Sequence, residues 1–240
     1  MKKALFLLLF VPVISNAQFK EILTKASDKI NAVTKSSNTI DIAAGLKEAL
    51  NKGVTEQVSK LTATDGFYKN EAVKILMPEE LAKLDRTLRK MGMAKLADEG
   101  ILALNRAAED AVKEATPLFV SAIKNITITD AKSILLGKEN AATMYLQEAT
   151  TTPLYAKFNP VVQQSIGKVG ADVIWTKIIK QYNMVPFVAK VNPDITDYVT
   201  NKALDGVFKM ITVEEKNIRS NINARTSDVL KKVFALQDKR

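Results

Sequence analysis

The sequence predicts an all-α protein, a single multi-helix domain of about eight to eleven helices, several of them short. Three observations carry that expectation. Apolar residues recur at three- and four-residue spacing along most of the 240 residues. The breaks between those stretches hold capping and helix-ending residues, among them Ser36-Ser37-Asn38-Thr39, Asp65-Gly66, Gly137 and Asn192-Pro193-Asp194. Strand patterning is confined to Ile126-Thr127-Ile128 and to Val185–Val191, where Pro186 and Pro193 bracket the second run.

The first residues read as a secretory leader. Lys2 and Lys3 precede an apolar run from Ala4 to Val13, and Ser15-Asn16-Ala17 supplies a short-residue exit. Cleavage is expected between Ala17 and Gln18, giving an exported protein, periplasmic or secreted. The run is shorter than the roughly 20 residues of a spanning helix, and no later segment is apolar over that length, so the mature chain is expected to be soluble. No cysteine follows the run to carry a lipid. The expected organisation is a leader at 1–17, an amphipathic helix and linker at 18–38, and a helical domain at 39–240.

The first helix places Phe19, Ile22, Leu23, Ala26, Ile30 and Val33 on one face. A second, from about Ile40 to Leu61, turns Ile42, Ala43, Leu46, Leu50, Val54, Val58 and Leu61 inward, and Asp65-Gly66 makes a turn. Pro78 is the expected first-turn proline of a helix ended by Gly92. A longer helix, from about Met93 to Ala115, breaks or restarts at Thr116-Pro117. Asp130 begins a short helix that Gly137 closes. Further helices are expected from Asn140 to Ala149, from Pro153, from Pro160 and from Ala171 to Asn183, the last holding the only tryptophan, Trp175. Asp194 starts the last long helix, to about Arg219, and Ser227 caps a final one.

Composition excludes several chemistries. The chain has no cysteine and no histidine. Disulfides, His/Cys metal sites, and Ser-His-Asp or Cys-His catalysis are therefore unavailable to it. No metal site and no cofactor are expected. The net charge is +9, and residues 216–240 carry +5 of it. That basic end, with Lys216, Arg219, Arg225, Lys231 and Lys232, is a possible contact for anionic lipid or another envelope component. Nucleic acid is not an expected partner, because no aromatic series accompanies the charges.

Polar residues at helical spacing mark a candidate centre. Asn105, Arg106 and Glu109 stand on one helix beside Ala107 and Ala108, which allow close approach of a second helix. Glu215 and Arg219 are an i,i+4 pair on the last long helix, with Asp205 upstream. These six residues are expected to face one another as a paired network, since a buried charge persists when it is paired. Asp130, Thr143, Tyr145 and Arg225 are secondary candidates.

These same blocks carry a resemblance. The chain resembles the bacterial family named domain of unknown function 4197, from about Gly45 to Phe234. The matching residues are Leu46-Lys47-Glu48-Ala49-Leu50, Asp65-Gly66-Phe67, Asn105 to Glu109, Asp130-Ala131 with Gly137, and Ala141-Ala142-Thr143 with Tyr145. Ala203 to Phe208, Glu214-Glu215 with Arg219, and Arg225-Thr226 with Val233-Phe234 continue the match. The resemblance implies export and a helical fold but no mechanism. The expected function is that of a non-enzymatic binding or structural protein of the cell envelope. The alternative is a hydrolase of envelope polymer pairing Glu109 with Asp205 or Glu215, which requires two carboxyl groups across an open cleft.

Overall fold

A computed structural model of the chain describes residues 42–79, 82–90, 94–168, 194–225 and 227–238, together with Gly92 and scattered positions between 176 and 190. The expected leader, the helix at 18–38 and Trp175 lie outside these residues. Helix α1 covers residues 42–62. It is followed by α2 (Ala82–Lys90), α3 (Ala94–Val112), α4 (Ala115–Lys124), α5 (Ile128–Leu136), α6 (Ala141–Lys168), α7 (Ile195–Ser220) and α8 (Asp228–Phe234), with a 3-10 turn at Ile222–Ala224. No strand occurs among the described residues, and the chain from Ile42 onward is one compact unit.

The helices form where periodicity and caps coincide. Leu46, Val54, Val58 and Leu61 make a buried stripe on α1. Thr127 caps α5 by accepting from the Asp130 N–H, and Asp130 answers by accepting from the Thr127 N–H, a reciprocal capping box. Asp194 caps α7 through the Thr196 N–H, and Ser227 caps α8 through the Leu230 N–H. The restart expected near Thr116-Pro117 falls between α3 and α4, which puts Pro117 in the first turn of α4, where its missing N–H costs nothing.

Two boundaries differ from expectation. Pro78 itself has no helical assignment, and the described part of α2 runs Ala82–Lys90. Pro153 and Pro160 open no new helices; both lie inside the 28-residue α6. The reason is tertiary. Leu146, Thr150, Leu154, Phe158, Val162 and Ile166 form one buried stripe at four-residue spacing through both prolines. Continuous burial of that face outweighs the local proline penalty.

The core sits where α3, α6 and α7 pack on one another. Ala107, Ala108 and Ala111 are fully buried on α3, which lets the neighbouring backbones come close. Phe119 of α4 meets Phe208 of α7 edge-on, with ring centroids 5.9 Å apart.

Candidate functional site

Asn105, Arg106 and Glu109 do face inward, but their partner is the loop after α1. Asp65 opens that loop with φ at 69°, a left-handed conformation that aspartate tolerates better than most residues. Gly66 follows where a Cβ would stand 2.4 Å from the Lys60 carbonyl oxygen, so only glycine fits against the end of α1. Phe67 then drops into the core, fully buried. The Phe67 and Tyr68 N–H groups donate to Glu109 Oε1 at 3.1 and 3.4 Å. Arg106 donates to Glu109 Oε2 and to Asp65 Oδ1, both at 2.6 Å. Farther along, Asn105 exchanges two 2.8 Å bonds with the backbone of Ile75 and donates at 2.7 Å to Ile101 O. A buried loop needs such partners for its peptide groups, and α3 supplies them as side chains. Hydrogen bonds from Lys69 and then Arg106 hold the Asp65 carboxyl below its ordinary value. The Glu109 carboxylate raises the Arg106 guanidinium above its own.

The second arrangement lies around α7. Glu215 accepts from the Ala142 N–H at 2.9 Å and from both the N–H and the hydroxyl of Thr143 at 2.8 Å. These are first-turn N–H groups of α6, which have no partner within their own helix. A carboxylate there also meets the positive end of the helix dipole. Arg219 donates to Glu215 Oε1 at 3.0 and 2.8 Å, to Leu135 O at 3.0 Å, to Ile134 O at 2.7 Å and to Gln237 Oε1 at 2.8 Å. The carbonyls of Ile134 and Leu135 are among the last of α5. One Glu-Arg pair on α7 therefore terminates α5 and starts α6. Arg225 repeats the device on α7 itself, donating to Ile218 O and Arg219 O at 3.0 Å and pairing with Asp238. That pairing raises the Arg225 guanidinium and lowers the Asp238 carboxyl. The Phe234 ring lies under both guanidinium groups, 5.7 and 5.6 Å from their carbons.

The structure thus divides the six residues expected to form one centre. Asn105, Arg106 and Glu109 share no hydrogen-bond partner with Glu215 and Arg219, and Asp205 belongs to neither group. Its side chain is 72% exposed, and its ion pair is with Lys202 at 3.8 Å. Asp205 fails to join because α7 turns Leu204, Val207 and Phe208 inward and leaves position 205 on the solvent side. Glu109 and Glu215 are buried and saturated by donors, and Asp205 is on the surface.

The cations of the basic C-terminal end divide into buried and exposed groups. Arg219 and Arg225 are buried on backbone carbonyls and acidic partners, and Lys216 pairs with Glu139 at 2.6 Å. Lys231 and Lys232 are exposed. Among the described residues no group of three acidic side chains is placed to hold a metal ion, and no helix is long and apolar enough to cross a membrane.

Two of the secondary candidates, Asp130 and Tyr145, line an open groove of about 690 Å³ between α5 and α6, with Ser133, Lys138, Met144 and Glu148. Thr143 is buried away from it on Glu215. Tyr145 is half-buried, and burial, then the charge of Asp130, raises its phenol above the ordinary value. The Thr127 N–H and hydroxyl hold Asp130 low. Met144 is 53% exposed on the same wall, so the groove offers an apolar and aromatic face beside charges of both signs.

Sequence reasoning missed Gln57, buried on α1 and donating to Glu214 at 3.0 Å, and Tyr155, which donates to Asp197 at 2.6 Å. It read Asp65 as a turn residue without naming it the partner of Arg106. The signal was present in the adjacent glycine, which fixes Asp65 at the end of a helix.

A family model described as "Protein of unknown function (DUF4197)" matches residues 35–235. No curated protein and no solved structure matches the chain.

Proposed function

We propose, for a chain that belongs to the DUF4197 family of proteins of unknown function, that it is an exported, non-catalytic binding protein of the cell envelope. In this reading its buried polar groups hold a helical frame, and the α5–α6 groove is the surface that meets a ligand. The observation that supports it is the condition of Glu109 and Glu215. A catalytic carboxylate must keep an oxygen available for substrate or water. Here every carboxylate oxygen already accepts from backbone N–H or arginine. The groove, in contrast, presents Met144, Lys138 and Glu148 to solvent, beside the half-buried ring of Tyr145. Export is supported by Lys2, Lys3, the apolar run and Ala17.

The test is mass spectrometry, under native conditions, of the protein purified from the exported fraction. A co-purifying small molecule should be present in the wild type and lost from Lys138→Glu and Glu148→Lys, two exposed positions of the groove, with melting temperatures unchanged. Release of soluble fragments from isolated envelope polymer, abolished by Glu109→Gln in a protein that still melts normally, would instead make the chain a hydrolase.

A further inference from the structure

Among the described residues, Phe67, Phe119, Phe158, Phe208 and Phe234 are all buried, whereas Phe187 is 109% exposed. Met184, three residues before it, is 81% exposed, and Pro186 is exposed as well. The backbone at Phe187 has φ at 64°, the left-handed region that a bulky L-residue rarely occupies. An aromatic ring held fully in solvent on a strained backbone contributes nothing to the core. It belongs to the class of outliers that serve a contact outside the fold.

The sequence flanking Phe187 carries one sign of charge. Lys180 and Lys190 are exposed on either side of the tip. The sequence from 173 to 193 holds Lys177, Lys180 and Lys190 and no aspartate or glutamate, although residues 126–215 as a whole are balanced. An exposed apolar segment flanked in sequence by exposed cations matches an anionic membrane surface, which offers acyl chains to the one and phosphates to the other. A protein partner would need only the apolar part of that pattern. The contact would be peripheral, because no described helix is able to span.

We propose that Met184, Pro186 and Phe187 form an apolar tip that inserts into the interface of an anionic lipid bilayer, with Lys180 and Lys190 on the headgroups. The tip replaces the basic C-terminal end as the lipid contact, since Arg219 and Arg225 there are committed internally. It is separate from the α5–α6 groove and stands whether or not the groove binds a ligand. Two apolar side chains and a few cations give reversible attachment, sensitive to salt.

The experiment is co-sedimentation of the purified protein, in the form cells accumulate, with vesicles of phosphatidylglycerol and phosphatidylethanolamine or of phosphatidylcholine alone. Binding should require the anionic lipid and fade with salt. Met184→Ser with Phe187→Ser should weaken it about tenfold or more, and Lys180→Glu with Lys190→Glu should remove the anionic preference. Lys231→Glu with Lys232→Glu should leave binding unchanged. These positions are exposed, so melting temperatures should not move. The chain has no native cysteine, so Phe187→Cys accepts a single polarity-sensitive fluorophore, whose emission should shift to the blue on anionic vesicles. Absence of vesicle binding, binding indifferent to Phe187→Ser, or loss through the Lys231 and Lys232 variants instead would each overturn the proposal.

Discussion

Glu109 and Glu215 each accept two backbone N–H groups and an arginine, yet the first fixes a loop and the second fixes two helix ends. The surroundings differ accordingly. Arg106 keeps 37% of its side chain exposed beside Glu109, while Arg219 keeps 5% beside Glu215. A guanidinium near water can rehydrate when its partner is lost. One sealed among the carbonyls of Ile134 and Leu135 cannot. Glu109 accepts three hydrogen bonds and Glu215 five, and solvent access widens that difference, because it decides whether water can replace a missing partner.

The largest expected effect is therefore at α7. Arg219→Ala strands Glu215 and frees two carbonyls of α5. It should cost about 3–5 kcal/mol, a fall in melting temperature on the order of 10 °C. Glu215→Ala should cost a similar amount, and the double variant should cost much less than the sum, because the two side chains share one bond system. Thermal unfolding of the three proteins checks this. Additive losses would show that the pair is not coupled.

At the other site, Glu109→Ala leaves the Phe67 and Tyr68 N–H groups without an acceptor while Arg106 retains Asp65 and solvent. The expected cost is about 1–3 kcal/mol. Combined with Arg219→Ala, the losses should add to within about 0.5 kcal/mol, since the sites share no partner. Strong coupling between them would restore the single centre that residue spacing first suggested.

A third variant sharpens the loop side of the comparison. A Cβ on Gly206 of α7 would lie 2.6 Å from Phe67 Cε1. Phe67 cannot withdraw easily, because Glu109 holds its backbone. Gly206→Ala should destabilise by about 1–3 kcal/mol through overpacking, and amide exchange should accelerate at 65–77 before it does at α5 and α6. Uniform acceleration across both regions would mean that the loop is not a separate unit.

What spacing reveals, and what it cannot, follows from these cases. Helix periodicity located α1, α3, α5, α7 and α8 because each buries one stripe, and α5, α7 and α8 also carry their own caps in Thr127, Asp194 and Ser227. It cut α6 at Pro153 and Pro160 because proline is a local signal, while the stripe that overrides it is a tertiary one. Within the candidate site, spacing placed Asn105 with Glu109 and Glu215 with Arg219, all neighbours on one helix face. It could not assign partners 41 to 85 residues distant, such as Asp65 for Arg106 or Ile134 for Arg219. Nor does it mark which arginines donate to backbone carbonyls, whose positions depend on how helices end in space.

Acid should act on both regions through their partly exposed carboxylates. Asp238 is held low by Arg225, and Asp65 by Lys69 and Arg106. A carboxyl lowered in the folded state binds its proton less readily than in the unfolded chain. Its stabilising contribution is complete above the unfolded value of about 4. It is lost as pH falls through the lower folded value. Melting curves between about pH 2 and 6 should show that decline, and Asp238→Asn should flatten its share of it. An unchanged slope in that variant would remove the Arg225–Asp238 pair from the acid response.

The smallest effect is expected at Asp205. It stands two residues before Val207 and ten before Glu215 on the same helix, yet its side chain is 72% exposed and its nearest cation, on Lys202, is 3.8 Å away. Exposed pairs of this kind contribute roughly 0–1 kcal/mol, so Asp205→Ala should change stability by no more than about 0.5 kcal/mol. A helix admits a residue to a buried network only if it lies on the buried stripe, and on α7 that stripe passes through Leu204, Val207, Ile211, Glu215 and Ile218. Position 205 is about 100° from Leu204 around the axis, enough to leave the stripe. Thermal unfolding of Asp205→Ala alone and with Glu109→Ala decides the matter. A loss near that of Glu109→Ala, or coupling between the two, would place Asp205 in the buried system and refute its assignment to the surface.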